Sequence, residues 1–214
     1  MKLLPIISFA LLCISCTNHK TNAVDQTPNP KELPKTSTET ENSSGRIETK
    51  GYPNEVMKED DILFNGKLKR YFTLKEFKTV FGTADSLKLM IAEEPCSYIF
   101  ENEDGSKDSE DRYIYKEGSR FENSKEKVAV DEFRFTKNNF IVFKGHTLNS
   151  FSTLTDLQRL FPNAVQNITT MDMSGEGKIQ VIQLREDDTN VSDGHINIGI
   201  KKGKLYFIHW WFPC

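Results

Sequence analysis

No catalytic or cofactor signature occurs in this sequence. It has no Gly-x-Ser-x-Gly elbow, no Ser-x-x-Lys and no phosphate-binding loop. Its four histidines, His19, His146, His195 and His209, share no metal-ligand spacing. The acidic stretch from Glu101 to Asp111 fails the calcium-loop pattern, because Gly105 at the turn position places Phe100 at the first ligand. Asp187 to Gly194 fails in the same way. Basic residues form no long run and the net charge is −3, so nothing attracts nucleic acid. These absences predict a protein without metal or cofactor that is not an enzyme. Hydrophobic residues make up only 37% of the chain, so part of it is expected to lie outside any core.

The N-terminus accounts for some of that polarity. Met1-Lys2 is a short basic start, and Leu3 to Ile14 is an apolar run of signal-peptide length, too short to span a bilayer. It closes on Leu12-Cys13-Ile14-Ser15-Cys16. Small Ser15 before Cys16, with aliphatic residues upstream, resembles a lipobox of the looser Bacteroidetes type, with Cys13 where Leu is usual. The resemblance implies that residues 1–15 are removed and that Cys16 is acylated. The partner would be the lipid bilayer and the location the cell envelope, with the outer membrane favoured. Acyl chains contribute about 0.8 kcal/mol per buried CH₂, so two or three make a lasting anchor.

Removal of the signal leaves Cys16, Cys96 and Cys214. With Cys16 acylated, export places the last two in an oxidising compartment, where a disulfide between them is the favoured reading. So long a loop is worth about 4–5 kcal/mol in chain-entropy terms. A metal pair is the other reading, and no ligand spacing supports it. Residues 16–57 are rich in Thr, Asn, Ser, Pro, Glu and Lys, the composition of a disordered tether.

The folded part, residues 58–214, is organised by a repeat. Tyr71-Phe-Thr-Leu-Lys-Glu-Phe-Lys-Thr-Val-Phe81-Gly82 returns as Phe151-Ser-Thr-Leu-Thr-Asp-Leu-Gln-Arg-Leu-Phe161-Pro162, 80 positions on. Thr73 and Thr153 are N-caps, with Glu76 completing a capping box and Asp156 a weaker one. Leu74, Phe77, Val80 and Phe81 form one apolar helix face. Gly82 and Pro162 end the two helices. The strand Ile62-Leu-Phe64 is matched by Ile141-Val-Phe143. Alternating runs at Asp111–Lys116, Val128–Phe135, Ile179–Leu184, Ile196–Ile200 and Leu205–Phe212 read as antiparallel strands. The hairpin joining Phe133–Phe135 to Phe140–Phe143 is expected to match that joining Ile198–Ile200 to Leu205–Ile208. The predicted class is α+β: two tandem helix-plus-meander units, residues 58–138 and 139–214, with short helices on one face of an antiparallel sheet.

The last strand is aromatic on both sides, and period two sends Trp210 and Trp211 to opposite faces. One enters the core and the other needs cover elsewhere. Tyr113, Tyr115, Tyr206, His209, Trp210 and Trp211 are therefore the candidate partner-binding residues. Pure packing of both Trp residues is the competing reading.

The layout, with its Thr-Leu-x-x-[Phe/Leu]-x-x-[Val/Leu]-Phe-[Gly/Pro] helices, resembles the β-lactamase inhibitory protein architecture and the small outer-membrane assembly lipoproteins that look like half of it. The resemblance implies binding of another envelope protein through an aromatic sheet face, as an inhibitor, immunity-type protein or assembly factor. The alternatives are an envelope hydrolase with an unrecognised site and a structural lipoprotein. A buried carboxylate or His lining a deep pocket favours the hydrolase; an aromatic sheet without one favours binding.

Overall fold

A computed structural model describes residues 53–189 and 191–213. Residues 1–15, expected to be a signal peptide, Cys16, most of the expected tether and Cys214 lie outside the described residues. In chain order the elements are β1 (Ile62–Phe64), β2 (Tyr71–Thr73), α1 (Leu74–Phe81), β3 (Ser86–Leu89), α2 (Met90–Glu93), β4 (Arg112–Lys116), β5 (Ser119–Ser124) and β6 (Lys127–Arg134). They continue with β7 (Phe140–Phe143), β8 (His146–Asn149), α3 (Leu154–Leu160), α4 (Pro162–Gln166), β9 (Thr169–Met173), β10 (Gly177–Arg185), β11 (His195–Lys201) and β12 (Lys204–Trp211). The strand pairs within both sheets are antiparallel and the helices are few and short, so the class is α+β.

The larger sheet runs β3-β4-β5-β6-β12-β11-β10-β9, with β2 also against β6. Its first four strands and its last four are each a meander, and the meanders meet where β6 pairs β12, Phe207 opposite Arg134 and His209 opposite Glu132. A smaller sheet holds β1, β7 and β8. α1, α3, α4 and the smaller sheet pack on one face of the larger one, whereas Glu93 of α2 reaches the other face beside Tyr115. Val128, Val130, Phe133, Ile182, Leu184, Ile196, Ile198 and Ile208 point into the helix-side core, at alternate positions along their strands except across a bulge at Asp131 in β6. Phe77, Phe81 and Phe121 form its aromatic centre, with ring centroids 5.1–5.4 Å apart.

Both helix starts are complete capping boxes. Glu76 N–H donates to Thr73 Oγ1 at 3.2 Å, and Thr73 N–H donates to Glu76 Oε2 at 2.8 Å. Asp156 N–H and Thr153 Oγ1 are 3.4 Å apart, with the return bond to Asp156 Oδ2 at 2.9 Å. The shorter Asp side chain thus closes its box as Glu does. α1 stops at Gly82, whose φ of 77° is costly for residues with a Cβ.

Three expectations need correction. Pro162 does not simply end a helix. It is the first residue of α4, where a missing N–H costs nothing and the fixed φ suits a helix start. Phe133–Phe135 and Phe140–Phe143 do not form a hairpin: β6 pairs with β5, β2 and β12, whereas β7 leaves that sheet and pairs with β1 and β8. Alternation sets which face a strand buries but not which neighbour it takes. Finally, residues 53–57, assigned to the tether by composition, are built into the fold. Met57 is fully buried, Val56 bridges Arg185, and the Glu55 carboxylate accepts the N–H groups of Asn163 and Ala164 at 2.9 and 3.0 Å. Those are the exposed donors of the first turn of α4, so a polar residue far away in sequence caps it.

Candidate functional site

The face of the large sheet turned away from α1, α3 and α4 carries the side chains that the core leaves out. Along β12, Leu205, Ile208 and Trp210 enter the helix-side core, while His209 and Trp211 face the other way. A bulge between Gly199 and Ile200 in the β11–β12 register adjusts this alternation. Phe207 lies flat against Gly199, where a Cβ would come within 2.2 Å of its ring, so only glycine fits beneath it.

The two tryptophans therefore have different roles. Trp210 is 3% exposed, with the Arg70 guanidinium 4.6 Å above its ring and the Phe64 ring 6.0 Å away. It is a packing residue, nearly all buried, that also lines the neighbouring cleft. Trp211 is 38% exposed and stacks on His195 with centroids 4.5 Å apart. Phe212 follows it, partly exposed, with its ring over Gly194. Tyr113 also departs from expectation, being buried; burial and the nearby Asp131 carboxylate push its phenol up. Tyr115 is half-buried beside Glu93, and Tyr206 lies between Arg134 and Lys201, both 4.6 Å from its ring.

Beside Trp211 a cavity of about 270 Å³ opens on this face. Its floor is strand: Tyr113 of β4, Arg120 and Glu122 of β5, Asp131 of β6 and His209 of β12. Its lid side is the irregular segment after α2, contributing Pro95, Cys96, Ser97 and Ile99. Of the residues singled out from sequence, Tyr113, Cys96, His209, Trp210 and Trp211 meet here, whereas Tyr115 and Tyr206 do not line it.

The groups that sequence reasoning missed are Arg120, Glu122 and Asp131. Arg120 pairs with Asp131 and lies 5.0 Å from the Tyr113 ring. His209 Nε2 is 3.7 Å from Asp131 Oδ1; burial lowers its basicity, and Asp131 and Glu132 oppose that. Glu122 is 1% exposed and accepts two backbone bonds, from Ile99 N–H at 2.9 Å and Phe100 N–H at 2.7 Å. Burial pushes its carboxyl up to about 7, outweighing those bonds, with help from the Asp131 and Asp111 charges. A signal for the group existed. Arg120 and Glu122 alternate with buried Phe121, and Glu122 stands opposite Tyr113 across β4–β5. What the sequence did not show was the segment folded over them.

At the other end of the face, Glu176 in the β9–β10 turn reaches Arg134 at 2.9 Å and Lys201 at 3.1 Å. Burial alone pushes its carboxyl up, but hydrogen bonds from Tyr206, Arg134 and Lys201 together prevail and hold it at about 2. Among the described residues no group of His, Cys, Asp and Glu has the geometry of a metal centre.

Chemically the cavity combines a buried carboxyl, an imidazole and a paired guanidinium. Both Glu122 oxygens are engaged by amide donors, so its geometry is that of a latch on residues 99–100 more than of a general acid aimed at a ligand. No family model matches the chain, and no curated protein or solved structure matches it.

Proposed function

We propose that this chain is an exported, lipid-anchored binding module that holds another envelope protein on the sheet face opposite its helices. Acylated Cys16 tethers it to the bilayer, and occlusion or scaffolding of the partner is its mechanism. The observation that carries this reading is Trp211. It is a large aromatic left over a third exposed at the rim of a cleft, stacked on His195 and followed by Phe212. Trp, Tyr and Arg are the side chains that dominate binding interfaces.

A Cys96–Cys214 disulfide belongs to the same proposal. It is supported by Cys96 and Phe212 lining one cavity, with Phe212 two positions before Cys214. Mass spectrometry of the non-reduced protein tests it; free thiols at both positions sink it. A tandem-repeat origin of the fold is also part of the proposal. Two capping boxes lie 80 positions apart, and β1 and β7, the matched strands, pair with each other. Turn residues Lys125 and Lys202, each with φ of 53°, lie 77 positions apart between the last two strands of each meander. That layout is the one expected for the β-lactamase inhibitory protein type of binding sheet, an analogy of architecture alone.

A second reading, an envelope hydrolase, is favoured by one feature: buried Glu122 and His209 lining the same cleft. The two readings separate experimentally. Capture from envelope extract with wild type and Trp211→Ala should lose the recovered protein in the variant, while Glu122→Gln retains it. If Trp211→Ala recovers the same proteins as wild type, the binding face is misplaced.

A further inference from the structure

The helix side of the first meander is incompletely covered. Between α1 and β3 lies a cavity of about 440 Å³ walled by Leu74, Phe77, Ala84, Leu87 and Ile114. β3 ends the sheet: it pairs with β4 and, among the described residues, with no strand on its other side. Register decides which groups that edge presents. Ser86 stands opposite Tyr115 and Lys88 opposite Tyr113, and in continuation Met90 N–H donates to Asp111 O at 2.9 Å. Ser86, Lys88 and Met90 therefore bond inward, and the N–H and C=O groups of Leu87 and Leu89 face the open edge.

On the helix side this edge presents only Leu87 and Leu89, apolar where edges are usually guarded by charge, proline or a bulge; Lys88 points to the other face and pairs with Glu93. Leu87 is 54% exposed, and Leu89 and Ile91 beyond it are also exposed. Leu87 pairs with core residue Ile114 and so lies on the helix side, at the mouth of the cavity. An added strand would place alternate side chains on that side, covering Leu87 and entering the cavity. Charge narrows the occupant further. The charged residues lining the cavity are Lys78 and Arg112, both cationic, with no carboxylate among the lining residues. Arg112 has one exposed partner, Glu110, at 3.3 Å, a weak and screened pair.

We propose that the free edge of β3 and the α1–β3 cavity form a strand-addition site for an extended segment of a partner protein. One face of that segment carries apolar residues bracketed by carboxylates. This surface is separate from the Trp211 cleft, and either proposal can fail without the other.

The test uses the full chain and three synthetic heptapeptides. The first is Glu-Thr-Val-Thr-Val-Thr-Glu, the second has Lys at both ends, and the third has proline at its centre, which cannot complete a ladder. Amide exchange at Leu87 and Leu89 should slow about ten-fold or more with the first, with the second binding about ten-fold more weakly and the third not at all. Leu87→Lys, at an exposed position that leaves folding intact, should abolish the protection, and Lys78→Glu should reverse the preference for end charge. Unchanged exchange at millimolar peptide, or equal binding of the proline peptide, overturns the proposal. It is also overturned if sedimentation shows a dimer whose Leu87 and Leu89 amides are protected without peptide, since the occupant is then a second copy.

Discussion

α1 and α3 start with the same chemistry and end differently, and the difference shapes the two sides of the molecule. Each is opened by a Thr and an acidic residue three positions on. At the next matched position one chain segment has Gly82 and the other Pro162. Gly82 adopts a left-handed φ and lets the chain leave at once for the edge strand β3. Pro162 sets the backbone for a second helix, whose Ala164 is fully buried and whose first N–H groups Glu55 caps. The second meander is thus roofed by two helices and the first by one. The uncovered remainder is the α1–β3 cavity and the exposed Leu87, Leu89 and Ile91.

The open flank is nevertheless held by a well-packed aromatic cluster. Phe77→Ala removes a fully buried ring from the Phe81–Phe121 cluster and should cost about 3–5 kcal/mol in denaturant unfolding. A loss below about 1 kcal/mol would mean the cavity lets this side collapse.

The next prediction contrasts the two ends of the sheet's other face by pH. Glu122 titrates near 7 in the fold against 4.5 for an ordinary glutamate. A raised folded value gives stability that is complete below 4.5 and lost as pH rises through about 7, by up to about 3 kcal/mol. Glu176, held at about 2, has the opposite sign: its contribution is present above 4.5 and lost as pH falls toward 2. Urea midpoints of Glu122→Gln should lose the fall between pH 4.5 and 7 and keep the acid limb. If the fall persists in that variant, another group causes it.

Smaller still is the contribution of the cap that the first meander lacks. Glu55→Ala leaves the first-turn donors of α4 without their carboxylate and should cost about 1–2 kcal/mol, with amide exchange faster in α4 but unchanged in α1. Equal acceleration in both helices would show that the flanks are not independent.

These contrasts also show how much was legible beforehand. Thr73, Glu76, Thr153 and Asp156 fixed two helix starts because capping is chemistry between near neighbours. Strand alternation in β11 and β12 was readable for the same reason, and it put Trp210 and Trp211 on opposite sides. It could not say which side was roofed, because that depends on α1, α3 and Arg70, distant in sequence. The departure of β7 to pair β1, the Glu55 cap and the Glu122 latch on Ile99 and Phe100 are all long-range pairings of polar groups. No local pattern announces them. The cleft was half-visible as aromatic residues and hidden in its charged members.

A partner held on the face of Trp211 would leave its footprint there. Hydrogen exchange of the chain with and without the protein captured from envelope extract tests it directly. Protection is predicted over residues 207–212 and 95–100, around the cleft. Protection confined to α1 and α3, with the Trp211 strand unchanged, would contradict it.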